Sequence, residues 1–228
     1  GVDFGYNAWD IVRDKGFEAW YPLQTNVARW MGDTKYHRPH SYLLTDAQLE
    51  NMRGELEPGD VVVTRSNWYV SNAGLPGFWP HSAMYVGTPG ELKSYFDTPE
   101  VRRLFRQEYG HEGLVEYLQA EYPEAWASYT ADDSDGRPKS LIEARAEGVI
   151  LNSFHEGAHA DYAGAMRPTT SRVDKARVIA TAFSFRGRPY DFNFDFLTDR
   201  KFVCTELVYK SWERADTSDR PGYELARS

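Results

Sequence analysis

Cys204 is the only cysteine in the chain, so it can form neither an intramolecular disulfide nor a multi-cysteine metal site. It lies within Phe202-Val203-Cys204-Thr205-Glu206-Leu207-Val208-Tyr209, where Leu207, Val208 and the later Trp212 share one apolar face. This spacing predicts a helix over 204–214 that begins at the cysteine. A thiol in that position meets unpaired backbone N–H groups and the positive end of the helix dipole, and both favour the thiolate. The same N–H groups can bind the oxyanion of a tetrahedral intermediate. The competing reading is a small buried hydrophobe, the usual role of a free cysteine. Glu206 should point away from the sulfur on such a helix and reads as a structural hydrogen-bonding group.

A thiolate nucleophile needs a base. His81 opens the strand-like run His81-Ser82-Ala83-Met84-Tyr85-Val86-Gly87, directly after an aromatic loop, so its ring can reach a cleft. The alternative is a structural or exposed histidine. Trp68, Phe78 and Trp79 are candidates for an apolar substrate-binding wall beside it. A second motif competes for the chemistry: His155-Glu156-Gly157-Ala158-His159 matches H-E-x-x-H, in which two histidines on one helix face bind zinc and the glutamate acts as base. Its context is unfavourable, because a strand-like run precedes it, a glycine sits at its centre and another strand-like run follows closely. No Glu lies between Glu156 and Glu206 and no His follows His159, so Asp161 or Asp174 would have to be the third ligand. The expectation is a polar connection with no metal and no cofactor.

The elements that must position these groups can be read in order. Thr45 is a candidate N-cap for a short helix over 46–53. Pro58-Gly59-Asp60 is a turn and Val61-Val62-Val63-Thr64 a buried strand. After the His81 strand, residues 88–139 are polar and charged, with helical spacing over 99–107 and 114–126 and a loop at 132–136. Strands resume at 140–144, 148–151 and 162–166. Residues 173–185 form an amphipathic helix with Val178, Ile179 and Phe183 as core, and Gly187-Arg188-Pro189-Tyr190 is a turn. The order of elements defines an α+β fold with a helical segment over 1–57 and a helical insertion over about 88–139.

Composition narrows the function further. The 228 residues carry a formal charge of -8 with no basic stripe, which argues against nucleic acid as a partner. No apolar run reaches the ~18 residues of a membrane span, and Gly1 to Tyr6 shows no basic-then-apolar signal pattern.

Several segments together resemble the permuted branch of the NlpC/P60 superfamily, the YiiX/YebB/YaeF-type papain-like amidases. They are Glu57-Pro58-Gly59-Asp60-Val61-Val62-Val63, Trp79-Pro80-His81-Ser82-Ala83-Met84-Tyr85-Val86-Gly87, Leu141-Ile142-Glu143-Ala144 with Gly148-Val149, and Gly187-Arg188-Pro189-Tyr190-Asp191-Phe192 with Cys204-Thr205-Glu206-Leu207-Val208-Tyr209. The His strand precedes the Cys helix, the reverse of the papain order. The resemblance implies a single circularly permuted papain-like domain, with an antiparallel sheet packed on helices, that acts as a cysteine peptidase or amidase. It implies His81 as base, Glu143 as the acid that orients it, and Tyr190 as a contributor to the oxyanion site. It also implies a cell-wall peptide, a small amide or a lipid-linked amide as substrate, in the envelope or cytoplasm of a bacterium. The insertion between His81 and Glu143 departs from the short loop usual in the family and suggests a lid or a wall of the cleft. Thr205 stands where Ser is common. Other readings are a lipid acyltransferase or hydrolase on the same fold, a zinc peptidase using His155 and His159, and a non-catalytic binding module.

Overall fold

A computed structural model describes residues 41–67, 69, 77–191 and 203–215. Most of the N-terminal segment and Trp68 lie outside the described residues. Thr45 caps α1 (Asp46–Glu55): its hydroxyl accepts the Gln48 N–H while the Gln48 side chain accepts the Thr45 N–H, a reciprocal capping box. The Pro58-Gly59 turn then delivers the chain into β1 (Val61–Arg65). That turn is held by charge. The Asp60 carboxylate accepts the Glu57 N–H and the Arg167 guanidinium, and the buried Lys175 reaches Glu57 at 3.5 Å. Gly59 has φ +97° and the Lys175 stem lies where its side chain would be, so glycine serves both the backbone geometry and the close approach.

The β-branched run of β1 is buried along almost its whole length, as a strand covered on both faces requires. It lies in a five-stranded antiparallel sheet with β2 (His81–Tyr85), β3 (Lys139–Arg145), β4 (Gly148–Ser153) and β5 (Tyr162–Met166), in the order β4-β3-β2-β1-β5. One face carries Val62, Ala83, Tyr85 and Leu141 against Leu49 of α1 and against Phe154 and Ala158 of the single-turn α6 (Phe154–Ala158). The other carries Met84, Ile142, Ala144, Val149 and Leu151 under the remaining helices.

Residues between β2 and β3 form α2 (Pro89–Phe96), α3 (Pro99–Leu104), a π-turn at Phe105–Tyr109, α4 (Leu114–Glu121) and α5 (Pro123–Thr130). Thr88-Pro89 and Thr98-Pro99 each supply a capping hydroxyl followed by a proline in the first turn, where a missing N–H costs nothing. The helical spacing over 114–126 resolves into two helices, because Pro123 cannot continue the first one and Tyr122 before it leaves helical geometry (φ -130°, ψ 56°). α2, outside the two helical stretches expected here, begins at a full capping box formed by Thr88 and Glu91.

These helices form a layer of the core. Leu92, Phe96, Val101, Phe105, Leu118 and Tyr129 are buried in one cluster with Met84 and Ile142 of the sheet. The buried Tyr129 hydroxyl donates to the Gly87 carbonyl at the exit of β2. α7 (Arg172–Ser184) adds Val178, Ile179 and Phe183 to the cluster, and α8 (Cys204–Ala215) adds Leu207. Leu118→Ala should therefore lower unfolding stability by about 2–5 kcal/mol, measured by urea denaturation. A cost near zero would mean that the insertion is dispensable to the core.

Candidate active site

The cysteine stands at the head of α8. The Leu207 N–H donates to the Val203 carbonyl at 3.0 Å, so Val203 is the N-cap and Cys204 the first helical residue. Glu206, at N3, accepts the Val203 N–H at 3.5 Å and is buried, the reciprocal half of a capping box. Its structural reading from sequence agrees with this position. Cys204 is 6% exposed, and its sulfur lies 3.7 Å from the Pro80 carbonyl at the entrance to β2. Backbone N–H groups of Ser82 and Thr205 point at it.

His81 is the first residue of β2, and the strand alternation decides where its ring goes. Ala83 is paired with Glu143 of β3, and residues two apart on a strand share a face, so His81 and Glu143 project on the same side. The His81 Nε2 meets Glu143 Oε2 at 2.7 Å, the Cys204 sulfur lies against the carbonyl of Pro80, the residue before His81, and the charges of His81 and Cys204 interact. The tautomer and ring orientation are thereby set by the carboxylate.

Glu143 has no solvent exposure. Its second oxygen accepts the Asn152 amide of β4 at 2.9 Å, and Arg145 Nε lies 3.0 Å from Oε2. Gly157 of α6 closes the far side: a Cβ there would meet Leu141 Cδ1 at 2.5 Å and Glu143 Oε1 at 3.1 Å. Asn152, Arg145 and Gly157 were not singled out from the sequence. Arg145 had a legible signal, since it sits two residues after Glu143 on the same strand face. Asn152 and Gly157 depend on pairing and packing between segments.

Electrostatics follow from these contacts. Burial disfavours the Cys204 thiolate, but the imidazolium of His81 and the two N–H groups outweigh it and lower the thiol pKa from its ordinary 9.0. Burial likewise disfavours the imidazolium, and the Cys204 and Glu143 charges outweigh it, raising His81 to about 10. Burial opposes ionisation of Glu143 too, yet the His81 hydrogen bond, the Arg145 charge and the Asn152 amide bring it down to about 2. These contacts shift the balance towards the thiolate at Cys204 and the imidazolium at His81, with the Glu143 carboxylate behind them.

Tyr190 is half-buried against the core. Burial, followed by the charges of Cys204 and Asp191, holds its hydroxyl protonated well above the usual range. Phe78 and Trp79 are 52% and 41% exposed. Phe78 meets Trp79 edge-on at 4.9 Å and Tyr162 at 5.4 Å, and Arg65 donates to the Phe78 carbonyl while its guanidinium covers the ring. The Trp79 indole lies along Gly164 of β5. Thr64, next to Arg65, is paired with His81, so the aromatic patch sits at the His81 end of the sheet.

The H-E-x-x-H segment is a single helical turn, in which the His159 N–H bonds to the His155 carbonyl. Its histidine rings are 4.8 Å apart. The third potential ligand brought to them is Asp46 of α1, and neither Asp161 nor Asp174, the acids a zinc site would have needed from the sequence, belongs to the group. Asp161 accepts the Leu43 N–H, and Asp174 accepts the Thr170 and Ser171 hydroxyls. Glu156 faces Arg145 at 3.8 Å.

The sheet, the helix carrying the cysteine at its first position and the histidine–carboxylate contact define a papain-like cysteine hydrolase. The chain belongs to the permuted papain-like amidase enzyme family, YaeF/YiiX, C92, whose model matches residues 55–225. Comparison with curated proteins and with solved structures gives no match. Among the described residues, no helix is long and apolar enough to cross a membrane.

With a single cysteine, thiol titration reports on the site alone. The rate of Cys204 alkylation by iodoacetamide should rise with pH through a midpoint below 9.0. In His81→Ala that midpoint should move up by about one unit or more, and superimposable profiles would show that the ring does not ionise the thiol. Because the folded pKa of Glu143 lies below the ordinary 4.5, its stabilisation is present above that value and is lost as pH falls towards about 2. Glu143→Gln should accordingly flatten the fall in urea midpoint over that acid range.

Proposed function

We propose that the protein hydrolyses an amide or isopeptide bond with Cys204 as nucleophile, His81 as acid–base and Glu143 as the group that orients His81. The observation that carries this reading is the 2.7 Å contact between His81 Nε2 and the buried Glu143, with Cys204 at the first position of α8 held against the Pro80 carbonyl next to His81. The thiolate attacks the carbonyl carbon and forms a tetrahedral intermediate. Its oxyanion is held by backbone N–H groups at the head of α8, with Tyr190 as a further donor. The imidazolium gives its proton to the leaving amine as the C–N bond breaks, and a thioacyl enzyme remains. Water, deprotonated by the now neutral His81, attacks the thioester; the acid is released and the thiolate–imidazolium pair returns.

The exposed Phe78–Trp79–Tyr162 cluster at the His81 end favours a substrate with an apolar group near the scissile bond, such as a lipid-linked amide or an aromatic-bearing peptide. The same patch suits acyl transfer from a lipid on the same fold, which acceptor competition would reveal.

A panel of acyl amides of a chromogenic amine, with acyl chains from acetyl to long-chain, tests the proposal. Cys204→Ala should abolish turnover and His81→Ala should lower kcat/KM by about 10³-fold or more; turnover at the parent rate in either variant would remove its assigned role. Glu143→Gln should cost about 10–100-fold, mostly in kcat. Phe78→Ala with Trp79→Ala should raise KM for long-chain amides and leave kcat on the acetyl amide nearly unchanged.

A further inference from the structure

The H-E-x-x-H segment is not consumed by the cysteine chemistry, yet its two histidines meet a carboxylate from a distant part of the chain. Asp46 Oδ1 lies 2.9 Å from His155 Nε2, and the potential ligand atoms of Asp46, His155 and His159 all fall within 4.8 Å of one another. In a tetrahedral zinc site, bonds of about 2.0–2.1 Å place ligand atoms about 3.3–3.4 Å apart, so modest side-chain rotation closes the set around an ion. Imidazole nitrogens and a carboxylate oxygen are the ligand types that select zinc and its neighbours over calcium or magnesium. The ligand side chains are open to entry: Asp46 is 74% exposed and His155 20% exposed.

The surroundings argue against a hydrolytic zinc centre. In that chemistry the glutamate of the motif acts as base at the metal-bound water, whereas Glu156 faces Arg145 and its carbonyl also accepts from that guanidinium. α6 is a single turn with Gly157 packed on Leu141 and Glu143. Asp46 belongs to α1, whose buried Leu49 shares a hydrophobic cluster with Phe154 and Ala158 of α6.

We propose that Asp46, His155 and His159 bind one divalent transition metal ion, zinc foremost, and that the ion clamps α6 to α1 on the face of the sheet that holds Glu143. Water completes the coordination, and the site is separate from the Cys204–His81 pair. The clamp is structural.

The test uses the full chain without a polyhistidine tag, in a Cys204→Ala background so that the thiolate cannot contribute a ligand. After exposure to zinc chloride and gel filtration, elemental analysis should find about one zinc per chain, and added zinc should raise the thermal midpoint. His155→Asn with His159→Asn, and separately Asp46→Asn, should bind at least about tenfold more weakly and lose the zinc-dependent rise. Cobalt(II) should give the intense visible bands of a four-coordinate site in Cys204→Ala and not in the double histidine variant. Failure of Cys204→Ala to retain zinc, equal retention by the histidine variant, or a weak six-coordinate cobalt spectrum would each overturn the proposal. None of these readouts depends on catalytic turnover.

Discussion

A carboxylate without solvent in the middle of a sheet must either take a proton or have its charge solvated by the protein. Glu143 is solvated by the protein, and much of the local structure is arranged to do it. His81 comes from β2, Arg145 from two residues along β3 and Asn152 from β4. The register matters as much as the residue types. Moving β3 by one position relative to β2 would turn Glu143 towards the opposite face, where Met84 and Ile142 form apolar core with α7 and the insertion. Correct strand pairing and ionisation of the acid are therefore one requirement.

From that carboxylate the charge pattern runs outward in alternating sign. Glu143 favours the imidazolium of His81, the imidazolium favours the thiolate of Cys204, and the start of α8 adds N–H dipoles to the same sulfur. Each member is partly or wholly shielded from water, so each interaction is stronger than it would be at the surface. Burial works against all three charges individually and is outweighed by their mutual attraction together with Arg145, Asn152 and the backbone N–H groups at the sulfur. In the proposed catalytic unit, the effects of single substitutions on turnover should therefore not add.

The rest of the fold divides its two sheet faces between different tasks. One face carries the large apolar cluster, in which the helices between β2 and β3 have the same standing as α7 and α8. The other holds the acid beneath α6 and α1, with Gly157 allowing the close approach that a side chain would block. Between β2 and β3, the chain departs from the short connection expected of the family. It enlarges the core and ties itself to the end of β2 through Tyr129 and Gly87.

The sequence by itself determined the features that local chemistry controls. The capping hydroxyls, the β-branched run of β1, the apolar spacing of α7 and the helix that begins at Cys204 are encoded over a few neighbouring residues, and the order of the His and Cys segments pointed to the permuted family. Only the tertiary structure decided which groups would solvate Glu143, that the helical insertion packs into the core, and that Asp46 rather than Asp161 or Asp174 joins the two histidines of α6. Trp68 lies outside the described residues. The physical reason is the range of the interactions: a cap or an apolar stripe is satisfied within one or two turns, whereas the partners of a buried charge are set by strand register and helix packing between segments as distant as Asp46 and His155.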